Sequence, residues 1–289
     1  MNNKLVKITL NTTESDGKRN MIVPNINFKD LVESVKKAAH QVLVSLSSEV
    51  TANTNHQNKK DGSIVTVADE RMQAVLRDEL KAQYPAIAFL GEEMSHEQQQ
   101  QTLQSTDTYI WCLDPLDGTT NYSNGLPFWA VSLALMNADG VVFGVVYDPL
   151  RDECFSAIKG EGAQLNGERL YCSSDPLSIK QAVANIDFKR LPQELSQKLI
   201  REPVYRSQRN MGACALEWCW LAAGRFQLYL HGGMKHWDYA AGSLILAEAN
   251  GFACTLENDT VFNLKRENQS VVAATNENLF NEWNKYLAS

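Results

Sequence analysis

The stretch YIWCLDPLDGTTNY, residues 109–122, opens as a short, continuous apolar run and closes as a turn crowded with oxygen donors. An apolar run of that length bounded by a turn reads as a buried strand. At its end Asp114 and Asp117 stand three apart around Pro115, and Gly118, Thr119 and Thr120 follow. Carboxylates that close repel one another unless positive charge lies between them. A surface turn could use Asp114 as an Asx-type starter, but it needs neither the second aspartate nor the threonines. The Gly-Thr-Thr run suits an anion, because glycine admits close backbone approach and a helix start presents N–H donors. The unit predicts a site that holds cations and an anion side by side at a strand end.

Elements on either side supply the layers around that strand. From Asn27, the apolar positions Phe28, Leu31, Val32, Val35, Ala39, Val42 and Leu46 repeat on one helical face. A second helix follows, with Ala68, Met72, Val75, Leu76 and Leu80 at helical spacing and Pro85 just past its end. AIAFLGEE is a short strand ending in acid, and the glutamine-rich HEQQQQTLQ reads as a mobile loop. FWAVSLALM and VVFGVVYDP form a hairpin across Ala138-Asp139-Gly140. Glycine-punctuated hairpins continue through ECFSAIKGEGAQLNGERLYC. The segments GACALEWCWLAAGRF and WDYAAGSLILAEANG are nearly all apolar, of helical length, and stop at Gly224 and Gly251. Helices that apolar are covered on several sides, so the architecture is layered α/β.

Four acidic sites lie where an element begins or ends: Asp69, Glu92 with Glu93, the Asp114/Asp117 pair, and Asp238. Ligand sites of layered α/β proteins gather at such ends. Taken singly, Asp69 reads as part of a capping box after Thr66, Asp238 as a helix cap, and Glu92 as a solvated turn. Taken together, they suit hard cations, which take oxygen ligands.

Composition narrows the partners. The 289 residues are 44% hydrophobic and 21% charged, as in an ordinary globular chain. A net charge of -7 sets the field against a phosphate backbone, so nucleic acid is not expected as the primary partner. No stretch reaches the roughly 18 apolar residues of a membrane span, and the first two dozen residues lack a signal-peptide core. A cytoplasmic protein is the expectation. The six cysteines form no C-x-x-C pair and read as buried free thiols. There is no G-x-x-x-x-G-K-[ST] or G-x-S-x-G motif for a P-loop nucleotide hydrolase or a serine hydrolase.

The segments VTVADE, LGEE, WCLDPLDGTTNYSNGLPF and WDYAAGSLILAEANG resemble, in order and separation, the inositol monophosphatase family. The resemblance runs from about Phe28 to the C-terminus. It implies an αβαβα sandwich, a magnesium-dependent phosphomonoesterase, commonly a homodimer, and inhibition by lithium. By position, Glu92, Asp114 and the Leu116 carbonyl would hold one Mg2+, while Asp114, Asp117 and Asp238 would hold a second. Glu92 would also meet a third ion, largely through water. Gly118 and Thr119 would receive phosphate oxygens, and Asp69 with Thr119 would orient a metal-activated water, with no covalent intermediate. The resemblance implies a single phosphatase domain over 27–289, with lobes of about 27–160 and 161–289, behind an extension of residues 1–26.

Substrate choice falls to groups near the leaving alcohol: Asp117, Asp238, the RNMGACALE stretch with Arg209, Ala213 and Cys214, and the segment before Trp237. Six residues before that tryptophan the inositol-type pattern carries a glutamate, and here His231 stands in its place. His231 or Lys235 reads as a contact to a substrate hydroxyl or phosphate, His231 with His236 as a weak zinc pair, and the segment otherwise as a solvated loop. The substrate is expected to be inositol monophosphate-like, with histidinol phosphate and adenosine 3',5'-bisphosphate as alternatives. A regulatory or binding protein with secondary phosphatase activity is the alternative of another class.

Overall fold

In the computed structural model, residues 26–50, 56–58, 64–104, 109–173 and 177–289 are described. Residues 1–25, read above as most of an N-terminal extension, lie outside them. Helix α1 (Phe28–Ala39) is capped by the Asn27 side chain and continues through a π-turn at His40–Val44 into α2 (Ser45–Val50). A two-stranded ribbon, β1 (His56–Asn58) and β2 (Ile64–Thr66), leads to α3 (Val67–Gln83). A seven-stranded sheet then forms from β3 (Ala88–Gly91), β4 (Ile110–Asp117), β5 (Ala130–Asn137), β6 (Gly140–Asp148), β7 (Glu153–Ile158), β8 (Gly162–Leu165) and β9 (Glu168–Leu170), in that order. Within it lie α4 (His96–Gln104), after β3, and the short α5 (Thr119–Ser123), after β4.

A second sheet has five strands: β10 (Val183–Asp187), β11 (Ser207–Arg209), β12 (Leu228–Met234), β13 (Phe252–Cys254) and β14 (Gln269–Ala274), in the order β11-β10-β12-β14-β13. Four helices accompany it: α6 (Gln193–Arg201), α7 (Cys214–Ala222), α8 (His236–Glu248) and α9 (Glu277–Ala288). Both sheets mix parallel and antiparallel pairs.

The strand pleat sorts the core into layers. Along β4, Trp111 and Leu113 pack with α1 and α3, while Ile110 and Cys112 face α7 and α8. On the second sheet, Tyr229, Val271 and Ala273 meet α7 and α8 from the opposite side, and Leu228, Leu230 and Val272 pack against Leu199 of α6 and Trp283 of α9. The result is an αβαβα sandwich, as the resemblance implied. Helices α7 and α8 are nearly all apolar because each is roofed and floored by a sheet.

Several expectations need correction. Val75 is 37% exposed, so the buried face of α3 is narrower than its apolar residues suggested. HEQQQQTLQ is the helix α4 and not a loop. The signal was present in SHEQ: Ser95 and Gln98 exchange hydrogen bonds between side chains and backbone N–H groups, a capping box with glutamine at the third position. Helix α8 ends with Asn250 in the left-handed region, at φ 66°, one residue before the expected glycine. All six cysteines are free thiols, but only Cys112, Cys154 and Cys219 are fully buried. The histidine segment before Trp237 is the strand β12, with a bulge between His231 and Met234.

Candidate active site

Strand pairing assembles the acids. β3 and β4 run parallel with Gly91 opposite Leu113, and the Glu92 N–H donates to the Leu113 carbonyl at 3.1 Å. Glu92 and Asp114 therefore leave the same edge of the sheet. Asp114 and Asp117 are three positions apart on β4, whereas their partners Ser132 and Ala130 on β5 are two apart. That extra residue is a β-bulge, which takes a residue out of the ladder and re-aims its neighbours. Pro115 suits the bulge because it has no N–H to lose. The Leu116 N–H turns back to Asp114 Oδ1 at 3.1 Å, and the Leu116 side chain packs into the core.

Gly118 caps α5 with φ 90°, in the left-handed region. A Cβ there would stand 2.9 Å from the Ala213 methyl and 3.0 Å from the Phe128 carbonyl. Only glycine fits both the conformation and the space. Thr119 Oγ1 lies 2.9 Å from Asp69 Oδ1 and 3.1 Å from the Leu116 carbonyl. Asp69 is fully buried at the third residue of α3, so its carboxylate serves the site as well as the helix start. Asp238, at the third residue of α8, accepts the Lys235 N–H at 2.8 Å, and Asp117 accepts the Leu216 N–H of α7 at 3.0 Å.

Glu92, Asp114, Leu116, Asp117 and Asp238 line one cavity of about 160 Å³, together with Gly118 and Thr119. Asp69 reaches it through Thr119. His231 and Cys214 line the cavity too, whereas Ala213 packs beneath Gly118, and Arg209 is exposed and bonded to Ser207 and Gln208. His236 is buried away from the cavity against the Asn263 carbonyl, and Lys235 pairs with Glu267.

The electrostatics are those of acids held out of water in excess of Arg190, the one side-chain cation among the described residues that line the cavity. Burial, then repulsion from Glu92, Asp117, Asp238 and Asp69, pushes the Asp114 carboxyl well above its usual range. Burial likewise raises Asp117 well above its range, against the opposing Leu216 hydrogen bond. Asp238 rises to about 6, through burial and then Glu92. Among the described residues, no three carboxylate, imidazole or thiol groups stand as a ready-made ligand cage. The donor set still fits a hard divalent cation: carboxylates plus the Leu116 carbonyl at a bulge, with Asp114, Asp117 and Asp238 raised by burial and mutual repulsion that a cation would relieve.

Sequence reasoning passed over Asp187, Arg190, Glu217 and Gln99. Gln99 Nε2, on α4, donates to the Gly91 and Glu92 carbonyls at 3.1 and 3.0 Å and fixes the Glu92 turn. Buried Glu217 accepts the Met211 and Gly212 N–H groups at 3.0 and 2.8 Å and holds the loop before α7. The capping box pointed to Gln99's helix; only the fold brings Asp187 and Glu217 to the cavity.

A layered sandwich whose strand ends gather acids around an anion-receptive turn defines a phosphoric monoester hydrolase. The chain belongs to the inositol monophosphatase family, whose pattern it matches over residues 27–288. It is 34% identical to inositol monophosphatase 1 of Solanum lycopersicum over 229 residues, covering 76% of this chain and 81% of that one. It is also 30% identical to the Nus factor SuhB of Haemophilus influenzae over 261 residues, covering 88% and 86%. Among solved structures, the extragenic suppressor protein suhB of Bartonella henselae superimposes with a TM-score of 0.78 at 30% identity, covering 90% of this chain and 97% of that one. The Thermotoga maritima IMPase follows at 0.77 and 27%, covering 90% and 96%.

Proposed function

We propose that the protein hydrolyses a small, polar phosphomonoester, inositol monophosphate-like, in a reaction that requires two to three Mg2+ ions. The observation that carries this reading is the meeting of Glu92, Asp114, Asp117 and Asp238 with Gly118 and Thr119 on one cavity, with Asp69 hydrogen-bonded to Thr119. Glu92, Asp114 and the Leu116 carbonyl would hold one ion, and Asp114, Asp117 and Asp238 a second, with Asp114 shared. Bound magnesium supplies charge neutralisation for the phosphate and a more acidic water.

The chain's own residues do the rest. The Gly118 and Thr119 amides, at a helix start whose first N–H groups lack intrahelical acceptors, receive phosphate oxygens. Asp69 accepts the Thr119 hydroxyl hydrogen, which leaves Thr119 Oγ1 with a lone pair for the attacking water; as that water gives its proton to Thr119 Oγ1, the Thr119 hydroxyl proton passes to Asp69. The pair thus positions and deprotonates that water in line with the leaving oxygen. Asp117, Asp238, His231 and Cys214 at the start of α7 surround the leaving alcohol. Homodimer formation and lithium inhibition accompany this reading by family resemblance, and a cytoplasmic location stays the expectation from the sequence. Among the described residues, no helix is long and apolar enough to cross a membrane.

Relatives named as Nus factors support a second reading, a binding or regulatory protein in which phosphate release is secondary. Phosphate release with and without Mg2+, across myo-inositol 1-phosphate, histidinol phosphate and adenosine 3',5'-bisphosphate, separates the two. Metal-dependent turnover of one compound is the expected result. Silence on all three, from folded and metal-loaded protein, would favour the binding reading.

A further inference from the structure

The cavity wall carries a cation with a fixed mount. Parallel pairing of β10 with β12 sets Asp187 opposite His231. Asp187 Oδ1 caps the 3-10 turn Phe188–Arg190 by accepting the Lys189 N–H at 3.0 Å. Its other oxygen accepts Arg190 Nη1 at 2.5 Å and His231 Nε2 at 3.2 Å. The imidazole tautomer follows from geometry. His231 Nδ1 accepts the Gly233 N–H at 3.2 Å, so the ring hydrogen is on Nε2, where it can donate to Asp187. Asp187 and His231 are both buried, whereas the Arg190 side chain is half exposed and lines the cavity.

Neighbouring sequence exists to seat this turn. A Cβ on Gly232 would stand 1.9 Å from the Arg190 carbonyl, so a glycine after His231 lets the two backbones touch. Among the described residues that line the cavity, Arg190 holds the one side-chain cation, and Asp187 engages only its Nη1. The Nε and Nη2 hydrogens keep the planar fork that suits a carboxylate or phosphate. A neutral polyol would leave that fork without an anion.

We propose that Arg190, held by Asp187 and His231, binds a second anionic group, a carboxylate or a phosphate, on the alcohol part of the substrate. The protein then prefers doubly anionic phosphomonoesters to phosphates of neutral alcohols. This inference rests on the phosphatase reading and moves its substrate class away from phosphates of neutral polyols such as inositol.

Two matched pairs test it at saturating Mg2+. The carboxylate arm compares 3-phosphoglycerate with glycerol 3-phosphate; the phosphate arm compares propane-1,3-diol bisphosphate with its monophosphate. The quantity read is the kcat/KM ratio of the anionic to the neutral member, for the wild type, Arg190→Gln and Arg190→Lys. A hydrogen bond between charged groups predicts that the ratio falls about 10-fold or more in Arg190→Gln, chiefly through KM, with partial recovery in Arg190→Lys. The arm that responds identifies the anion. An unchanged ratio in both arms, or a wild-type preference for the neutral members, overturns the inference and leaves the phosphatase reading intact. Equilibrium affinities for the same pairs, measured calorimetrically with Ca2+ in place of Mg2+, keep the two apart if no turnover is seen. A ratio that still falls in Arg190→Gln then upholds the Arg190 site while the phosphatase reading fails, and an unchanged one overturns both.

Discussion

Replacing Asp238 by asparagine should stabilise the metal-free protein while abolishing much of its response to magnesium. The Asp238 carboxyl is raised from an ordinary 3.8 to about 6, through burial and then the Glu92 charge. A folded-state value above the unfolded one means that stability is greatest with the carboxyl protonated and is lost as pH rises from near 4 through about 6. The rise of about two units corresponds to about 3 kcal/mol of destabilisation, present in full above that range. Asparagine keeps an oxygen for the Lys235 N–H, bonded at 2.8 Å, and removes the charge. For a chain of this size each kcal/mol moves the melting temperature by about 2–4 °C.

Calorimetry on EDTA-treated protein should therefore find Asp238→Asn several degrees more stable than wild type at pH 7.5, with the gap closing near pH 4. Adding magnesium to about 100 times its dissociation constant should stabilise the wild type by about 2.7 kcal/mol and the variant far less. Equal melting temperatures at pH 7.5 without metal would refute the electrostatic account. Equal stabilisation of both proteins by magnesium would refute the role of Asp238 as a ligand.

Asp69→Asn should lower kcat about 100-fold or more while metal affinity and melting temperature change little, since the carboxylate hydrogen-bonds into the site through Thr119; loss of folding would instead favour a helix-capping role. Gln99→Ala removes both hydrogen bonds to the Gly91 and Glu92 carbonyls, so magnesium titration of activity should show weaker metal affinity at nearly unchanged maximal rate. A drop in maximal rate alone would place Gln99 elsewhere in the cycle.

Much of this was legible because it is local. Hairpin chemistry at Ala138–Gly140, the apolar face from Phe28 to Val42, and the nearly all-apolar helices α7 and α8 each announce their structure within a few residues. The acid pair of β4 was legible for the same reason, since two carboxylates around a proline have no ordinary turn role. Misreadings came where a local signal was outweighed or overlooked. Polar α4 reads as a loop because its glutamines carry no apolar stripe, although its capping box is written in SHEQ. Val75 keeps helical spacing yet faces solvent, because α3 packs through a narrower strip than its apolar residues could cover.

By itself, the sequence determined the layers, the β4 turn and the types of donor at the site, because periodicity, capping and turn preference act over a handful of neighbours. Tertiary structure alone decided which donors meet. Asp69 reaches Thr119 across 50 positions of chain, and Asp117 reaches the Leu216 amide across 99. Asp187 looks like the cap of a minor turn until β10 pairs with β12 and sets it against His231, with Arg190 on the cavity wall. Such encounters depend on sheet register and helix packing, which arise only when the whole core closes.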